Sequence, residues 1–192
     1  MKEEKKIIRN KILEVRKAAD AGFIHAMSQK IARKITALEA FKKSGIIMAY
    51  MDFRNEVATM DLIKFCITNN KKVALPRIEC SETGLKDIYA YEINDVLSDT
   101  EPGFYGIMEP VRKAENLVSP DKIDIVLVPG VAFSEDRYRI GYGAGYYDRF
   151  LKKVRADCIK IGMAFEFQVL KKIPAEEHDV PLDIIITERR II

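Results

Sequence analysis

The fold is decided by the stretch Val126-Leu-Val-Pro-Gly-Val-Ala-Phe-Ser-Glu-Asp-Arg-Tyr-Arg-Ile-Gly-Tyr-Gly-Ala-Gly-Tyr-Tyr-Asp-Arg-Phe150. Residues 123–128 predict a buried strand that Pro129-Gly130 breaks, and Gly141, Gly143 and Gly145 then precede an amphipathic run that predicts a helix. Glycines at this density are typical of backbone with positive φ, or of backbone that a ligand approaches closely. A strand, a glycine-rich loop and a helix start in succession point backbone N–H groups at an anion.

The spacing of the glycines separates this loop from two common phosphate-binding motifs. It is neither GxxxxGK[ST] nor GxGxxG, and the pattern GxGxG does not by itself identify a ligand. Arg137 and Arg139 precede the glycines, tyrosines are interleaved with them, and Asp148 falls in the first helical turn. Two guanidiniums, free N–H groups and a carboxylate suit a metal-bound polyphosphate. On these residues alone, a structural turn with Asp148 offsetting the helix dipole is an equal alternative.

Composition restricts the class of protein. The chain has 192 residues, of which 48% are hydrophobic and 32% charged, and this favours one soluble domain over residues 1–192. No apolar run approaches the roughly 18 residues of a membrane span, and the mixed charges of residues 1–6 are not those of a signal peptide. We therefore expect a cytoplasmic protein without a membrane partner.

Charge and cysteine content exclude further classes. A net charge of +3 is too balanced for a dedicated nucleic-acid binder. The three cysteines, Cys66, Cys80 and Cys158, have no CxxC spacing, which argues against a disulfide framework or a zinc site. A small anionic ligand at a local basic patch stays possible.

Apolar runs alternate with amphipathic ones along the chain. Strands are predicted at residues 46–50, 73–75 (closed by Pro76), 87–91, 123–128, 160–165 and 184–187, and helices at 3–19, 24–38, 60–68 (with Thr59 as N-cap) and 146–154. A turn is predicted at residues 81–84 and an irregular segment at 98–120, with 106–110 passing near the site. Because the strand runs are continuously apolar, we predict an α/β fold: a single three-layer α/β/α domain with a mostly parallel sheet, Rossmann-like in the broad sense.

Further candidate ligands lie outside the glycine loop. Lys5 and Arg9 are four residues apart on one helix face, and Met51 and Glu56 occupy a loop after a strand, where α/β sheets bind ligands. The structural alternatives are a solvated basic pair and a solvated loop carboxylate. Asp179 and Asp183 before the last strand are metal-ligand candidates or Asx-turn residues, and His178 is expected to be a neighbour. Arg77 is left open between an anion ligand and a strand-end cap.

The quoted residues carry a resemblance. Pro129 to Phe133 and Tyr138 to Phe150 resemble the signature of 5-formyltetrahydrofolate cyclo-ligases, also called methenyltetrahydrofolate synthetases. The resemblance extends to the basic N-terminal helix, to residues 51–56 and to Asp179. Ala144 is a departure, because the family carries Gly or Lys there and a Lys would add a charge toward the phosphates.

The resemblance implies a set of site residues. For ATP they are Lys5, Lys6, Ile7, Ile8, Arg9, Arg139, Ile140, Gly141, Tyr142, Gly143, Ala144, Gly145, Tyr146 and Tyr147. For the folate they are Met51, Glu56, Tyr142, Gly143, Ala144, Gly145 and Tyr146. Arg139 and Tyr147 are implied to be catalytic, and Asp148 and Asp179 to hold Mg²⁺.

The implied reaction is the ATP-dependent conversion of 5-formyltetrahydrofolate to 5,10-methenyltetrahydrofolate, with release of ADP and phosphate. ATP would phosphorylate the formyl oxygen, N10 would attack the activated carbon, and phosphate would leave. The expected partners are the folate and ATP only, and the expected state is a monomer. Two alternatives stay open: a sugar-phosphate isomerase-like protein, which needs neither ATP nor metal, and a noncatalytic nucleotide-binding α/β protein, which would bind ATP without folate-stimulated ADP release.

Overall fold

A central sheet and the elements that cover its two faces make up the structure. It is a computed structural model that describes residues 1–80, 84–103 and 106–192. Its strands are β1 (Ile46–Met48), β2 (Lys72–Cys80), β3 (Lys86–Ile93), β4 (Thr100–Pro102), β5 (Met108–Pro110), β6 (Leu117–Val118), β7 (Ile125–Val128), β8 (Ala132–Ser134), β9 (Arg139–Ile140), β10 (Ile159–Met163), β11 (Val169–Leu170) and β12 (Ile184–Ile186). Its α-helices are α1 (Lys2–Ala18), α2 (Ala21–Ala37), α3 (Glu39–Lys43), α4 (Met60–Thr68) and α5 (Tyr146–Leu151).

The central sheet has the strand order β12-β10-β7-β1-β2-β3-β6. Neighbours from β12 to β2 are parallel, whereas β2–β3 and β3–β6 are antiparallel. The predicted mostly parallel sheet is confirmed. The carboxyl ends of β1 and β7 lie side by side, and this brings the loop after β1 close to the chain that follows β7.

Alternation along the strands explains why their sequences are apolar at every position. In β7, Ile125 and Leu127 belong to one buried cluster, and Val126 and Val128 to the cluster on the other face. The first cluster includes Ile31 and Ile35 of α2, Phe41 of α3 and Leu62 of α4. The second includes Phe150 and Leu151 of α5 and Phe133 of β8. Both faces of the sheet are therefore covered, which confirms the three-layer prediction.

A second, smaller sheet follows directly from β7. Its order is β11-β8-β9, with β8 and β9 antiparallel and β11 parallel to β8. Ile12 of α1 packs in a third buried cluster with Val131, Ala132 and Ile140. The N-terminal helix is thereby held against the chain that leads into the glycine loop.

Strand β2 differs from the prediction that Pro76 closes it. It continues to Cys80, with Pro76 opposite Ala90 of β3. β1 pairs with β2 only as far as Ala74, so the proline nitrogen, which has no hydrogen, breaks no bond of the β1–β2 ladder. The prediction failed because it treated the proline as a terminator, when it lies beyond the part of β2 that β1 pairs with.

Helix ends also differ from the predicted bounds. α2 begins at Ala21, because the Asp20 side chain accepts a hydrogen bond from the Phe23 N–H. α5 ends at Leu151 instead of residue 154, where the Lys153 N–H donates to the Phe150 carbonyl and tightens the last turn. Helix α4 has the predicted bounds, but the Thr59 hydroxyl donates to the Tyr50 carbonyl and does not cap it.

In its described residues, 98–103 and 106–120, the segment predicted to be irregular contains only the short elements β4, β5, β6, a 3₁₀ turn at Ala114–Asn116 and the start of another at Pro120–Lys122. Arg77 pairs with Glu101 (Nη1–Oε1 2.7 Å) and donates to the Pro110 carbonyl, so it ties β2 to this segment. β5 contacts β4, β2 and β3. The passage of residues 106–110 near the site stays a prediction. Of the turn predicted at 81–84, residues 81–83 lie outside the described residues. Among the helices that are described, none has the length and apolarity to cross a membrane.

Gly162 tests the packing between the two sheets. A Cβ at this position would lie 2.7 Å from Leu182 Cδ1 and 3.0 Å from Phe133 Cε1. We expect Gly162→Ala to lower the free energy of unfolding by about 1–3 kcal/mol, because overpacking forces neighbours out of place. Gly141→Ala is the matched control, since a Cβ there meets no heavy atom within 4 Å. Equal urea midpoints for the two variants would contradict this packing.

Candidate active site

One stripe of α1 carries three cations and one apolar anchor. Lys5, Arg9, Ile12 and Arg16 are spaced by four, three and four residues, so they share one face of the helix. Ile12 is buried against Val131, Ala132 and Ile140. Because the anchor faces the small sheet, the cations on either side of it face the loops at the carboxyl edge of the central sheet.

The glycine loop is open to solvent and is held by Arg9. Residues 142–145 are exposed, and Gly143 and Gly145 have φ of 108° and 68°, which an L-residue with a side chain rarely adopts. Arg9 Nε donates to the Gly141 carbonyl at 2.8 Å, and its Nη2 lies 3.6 Å from the place of a Cβ on Gly143. A guanidinium thus lies over an exposed loop at the start of α5, an arrangement that suits an anionic group.

The residues on either side of the glycines support the loop. Ile140 is buried with Ile12, and Ile8 packs at the edge of the same cluster. Arg149 donates to the Ala144 carbonyl at 3.1 Å and lies over the Tyr146 ring, 5.3 Å from its centroid. Arg149 of α5 therefore supports the tip of the loop.

A buried ion pair joins β9 to α5. Arg139 Nη2 lies 3.1 Å from Asp148 Oδ1, which also accepts from the Val180 N–H at 3.1 Å. The Arg139 guanidinium lies 5.8 Å from the Tyr147 ring centroid, and burial raises the pKa of the Tyr147 hydroxyl. Arg139 Nε and Tyr147 OH are buried without a hydrogen-bond partner among the described residues. Such atoms in an otherwise paired site mark positions that a ligand can satisfy.

The side chain of Lys5 in α1 reaches an acidic loop near the C-terminus. Its Nζ is 2.6 Å from Asp179 Oδ2 and 3.0 Å from Glu176 Oε2. Partial burial acts to raise the pKa of Asp179, but hydrogen bonds from Lys5 and from the Glu176 N–H outweigh it and lower that pKa. Ligand atoms of Glu176, His178 and Asp179 lie within 4.8 Å of one another, which is close enough to hold a cation. Asp148 is not in this group, although it contacts Val180, the residue after Asp179.

Glu56 supplies a buried carboxylate at the other side of the loop. Its Oε2 accepts from the Phe53 N–H at 3.1 Å, while Oε1 has no hydrogen-bond partner among the described residues. Burial raises the pKa of Glu56 to about 7 against the opposing charge of Arg16. Met51 is half-buried and packs on the core, and the Phe53 ring lies 6.4 Å from the Tyr142 ring. The loop after β1 and the glycine loop therefore meet.

Most of the residues implied by the resemblance come together at this edge of the sheet. The side chains of Lys6 and Ile7 do not, because Lys6 is exposed near Glu3 and Ile7 is exposed. Asp183 lies directly before β12, and its Oδ2 accepts a hydrogen bond from the Lys160 N–H of β10 at 2.7 Å. It therefore fixes the point where the chain enters β12. Arg16 was missed by the sequence reasoning, because its position seven residues after Arg9 places it on the same helix face without showing that it is buried.

Comparisons with known proteins identify the family to which this chain is similar. The 5-formyltetrahydrofolate cyclo-ligase family matches residues 1–188. The 5-formyltetrahydrofolate cyclo-ligase of Saccharomyces cerevisiae is 32% identical, over 95% of this chain and 94% of its own length. That of Mycoplasma pneumoniae is 32% identical, over 96% of this chain and 99% of its own. The solved structure of 5,10-methenyltetrahydrofolate synthetase from Aquifex aeolicus superposes with a TM-score of 0.84, at 33% identity, over 97% of this chain and 91% of that one.

The burial of Glu56 predicts a pH dependence of stability. Its folded pKa of about 7 exceeds its ordinary value of 4.5, so between these values the folded state binds more protons than the unfolded state. The free energy of unfolding should then fall as pH rises through this window, by up to about 3 kcal/mol relative to Glu56→Gln, and level off above it. Urea unfolding of both proteins at pH 5 to 8 measures the difference, and parallel curves would contradict the prediction.

Proposed function

This chain belongs to the 5-formyltetrahydrofolate cyclo-ligase family, and we propose that it converts 5-formyltetrahydrofolate to 5,10-methenyltetrahydrofolate with cleavage of ATP to ADP and phosphate. The observation that carries the proposal is one juxtaposition. An exposed glycine loop beneath the Arg9 guanidinium lies beside a buried carboxylate, Glu56, that has one oxygen free of hydrogen bonds. The first feature suits a polyphosphate and the second suits a ligand with N–H donors.

We assign the ATP side of the site to residues 5–9 and 139–147. Arg9 brings a positive charge to the glycine loop, and Lys5 and Arg139 carry two more beside Asp179 and Asp148. Phosphoryl transfer requires mainly such charge neutralisation and in-line positioning. Lys6 and Ile7 would act through their backbone, because their side chains face away. The Tyr147 hydroxyl and Arg139 Nε, both buried without a partner in the described chain, are the groups that support a catalytic role for these two residues.

We assign the folate side to Met51, Glu56 and the glycine loop. A pterin carries amino and ring N–H donors, and the open Oε1 of Glu56 is an acceptor for them. Met51 offers an apolar surface beside that acceptor. This division would place the folate and the nucleotide on opposite sides of Tyr142, within reach of one another.

The chemistry explains why ATP is needed. A formyl oxygen is a poor leaving group, so the γ-phosphoryl group of ATP is first transferred to it and ADP is released. The N10 nitrogen then attacks the formyl carbon and loses its proton, and the C–O bond breaks with inorganic phosphate as the leaving group. Arg139 and Lys5 would hold the charge that develops on the phosphoryl oxygens. No nucleophilic side chain is required.

The donor set fits a magnesium ion. Asp148 and Asp179 offer carboxylate oxygens, which Mg²⁺ prefers, and Glu176 adds a third close to Asp179. Each of the two aspartates is paired with a cation of the chain, Asp148 with Arg139 and Asp179 with Lys5, so their charge is compensated in this state. When bound, Mg²⁺ would neutralise charge on the ATP phosphates.

We further propose a cytoplasmic monomer, with one domain over residues 1–192 and no nucleic-acid or membrane partner. The three cysteines are unpaired, and Cys66 and Cys158 are buried, as suits a reducing compartment. Sedimentation at micromolar concentration tests the monomer, since a dimer would double the mass.

The proposed reaction is tested by its substrate dependence. ADP release should require 5-formyltetrahydrofolate and should not occur with the 10-formyl isomer, in which N10 carries the formyl group and cannot attack. ATP binding without folate-stimulated ADP release would support the noncatalytic alternative. Isomerase activity on a sugar phosphate without ATP would support the other.

Gly143→Val separates a functional loop from a structural turn. We expect a folded protein that no longer binds ATP, because the side chain is strained at φ of 108° and fills space beneath Arg9. Gly84→Val is the matched control, with φ of 78° and no neighbour within 4 Å of its Cβ. Both variants should lose similar stability in thermal unfolding, and only the first should lose ATP binding by calorimetry. Full ATP affinity in folded Gly143→Val would return the loop to a structural role.

Asp148→Asn and Asp179→Asn test the metal. Each should leave the fold intact, lower turnover by orders of magnitude and raise the Mg²⁺ concentration for half-maximal rate. The double variant should lose far less than the product of the single losses, because residues that act as one unit are not additive. Asp183→Asn is the control, since Asp183 pairs with Lys160 and should not alter the Mg²⁺ dependence. If Asp148 only offsets the helix dipole, its variant should cost about 0.3–1 kcal/mol of stability and keep normal Mg²⁺ dependence.

A further inference from the structure

Arg16 is a charged side chain with no exposed surface. Its exposed fraction is 0%, although it lies in the last turn of α1, where arginines usually reach solvent. Taking a guanidinium out of water costs several kcal/mol unless charges and hydrogen bonds compensate for it. Burial of this kind requires an explanation from the groups around Arg16.

The partners of Arg16 come from three separate segments. Its Nη1 lies 3.7 Å from Glu56 Oε1 in the loop after β1, and 3.4 Å from the Gly130 carbonyl after β7. Its Nη2 donates a short hydrogen bond to the Tyr142 hydroxyl, and the guanidinium lies 5.7 Å from the centroid of that ring. The Arg16 side chain thus connects the loop after β1, which carries Glu56 and is proposed for the folate, with the glycine loop proposed for ATP.

The pair between Arg16 and Glu56 is close but not hydrogen-bonded. At 3.7 Å the charges compensate one another, yet the distance exceeds that of a hydrogen bond. Arg16 Nε and Glu56 Oε1 are both buried, and neither has a hydrogen-bond partner in the described part of the chain. A pair built only for stability would close this gap, because buried polar atoms are otherwise nearly always bonded.

The loop that carries Glu56 is fixed to the same helix end. The Asn55 side-chain amide donates to the Arg16 carbonyl at 3.1 Å and to the Ala19 carbonyl at 3.3 Å. Arg54 and Asn55 have φ of 48° and 58°, in the left-handed region, which Asn tolerates but which is uncommon for Arg. The loop is therefore fixed to the end of α1 in a defined turn, with the Glu56 carboxylate close to Arg16.

Building on the proposed function, we propose that Arg16 is a positioning residue of the folate site. Its buried guanidinium favours the ionised form of the Glu56 carboxyl group and orients it, and leaves Oε1 free to accept N–H groups of the pterin. Arg16 acts through Glu56 and Tyr142 and does not itself need to touch the reacting atoms.

The other groups around Glu56 show how much its ionisation depends on Arg16. Asp52 and the hydroxyls of Tyr50, Tyr142 and Tyr147 are the remaining titratable neighbours. Burial raises the pKa of Glu56 and so does the charge of Asp52. Arg16 is the largest opposing influence, with smaller contributions from the Phe53 N–H and the Tyr142 hydroxyl. Without Arg16 the pKa of Glu56 should rise further, so that the protonated form dominates at neutral pH. A protonated carboxyl group is a weaker acceptor for the donors of a pterin.

The first measurement needs no turnover. The Glu56 carboxyl carbon is followed by ¹³C NMR against pH and assigned by its absence in Glu56→Gln. We expect Arg16→Met, which keeps length without charge, to move the midpoint upward by at least about one pH unit, the equivalent of a tenfold change in ionisation. Arg16→Lys should move it less. An unchanged midpoint in Arg16→Met would overturn the proposal, whatever the substrate is.

The second measurement concerns the reaction. At pH 7, Arg16→Met should raise KM for 5-formyltetrahydrofolate about tenfold or more with little change in KM for ATP, and the loss should shrink as pH rises and Glu56 ionises again. In Glu56→Gln, adding Arg16→Met should cost much less than it does alone, because the two residues act together. Equal losses in both backgrounds, or a loss independent of pH, would show that Arg16 is only structural.

Two controls keep the outcomes distinct. If Arg16→Met does not fold, two other variants replace it. One is Arg16→Lys, and the other, for the measurement of the reaction, is the double variant Arg16→Met with Glu56→Gln, which removes both buried charges. If the midpoint of Glu56 moves as expected but 5-formyltetrahydrofolate is not consumed by the wild type, the proposed function fails while the coupling of Arg16 to Glu56 stands. If the reaction is observed and the midpoint does not move, the function stands and the role of Arg16 fails.

Discussion

The packing of Ile12 against Val131, Ala132 and Ile140 is the contact on which the site depends. It sets the rotation of α1 about its own axis. With Ile12 turned to the small sheet, the residues one turn before and one turn after it must face the same way, so Arg9 and Arg16 reach the glycine loop. A rotation of α1 by one residue would move each of these cations about 100° around the helix axis, and they would no longer reach the glycine loop.

The site is organised as three ion pairs around an exposed loop. The pairs of Lys5 with Asp179 and of Arg16 with Glu56 join segments that are distant in sequence, whereas Arg139 and Asp148 lie nine residues apart on either side of the glycines. Charge is compensated in every pair, but four atoms around them, Arg16 Nε, Glu56 Oε1, Arg139 Nε and Tyr147 OH, are buried without hydrogen-bond partners in the described chain. A polar network that is incomplete in this way costs stability, and binding sites are where proteins accept such costs.

Long apolar runs made the parallel sheet predictable, because a strand buried on both faces leaves a continuous hydrophobic signal. The glycine loop was equally readable from its composition. The short strands β8, β9 and β11 could not be predicted, because strands of two or three residues show no hydrophobic periodicity. Arg16 was hidden for another reason: an arginine in the last turn of a basic helix looks solvent-exposed, and only the tertiary arrangement of Gly130, Glu56 and Tyr142 reveals that it is enclosed. The pairing of Lys5 with Asp179 likewise depends on a contact across 174 residues, which no local pattern records.

The sequence distances within the site also set an order of events during synthesis. Arg16 meets Gly130 and Tyr142 across 114 and 126 residues, and Arg9 meets Gly141 across 132. At translation rates of roughly 5–20 residues per second, α1 leaves the ribosome on the order of ten seconds before these partners. Throughout that interval Ile12 lacks the residues that cover it, and Lys5 and Arg9 lack their partners in the second half of the chain. The helix that organises the site is therefore made early and docks late, so the nascent chain is exposed to aggregation until the second half of the protein has emerged.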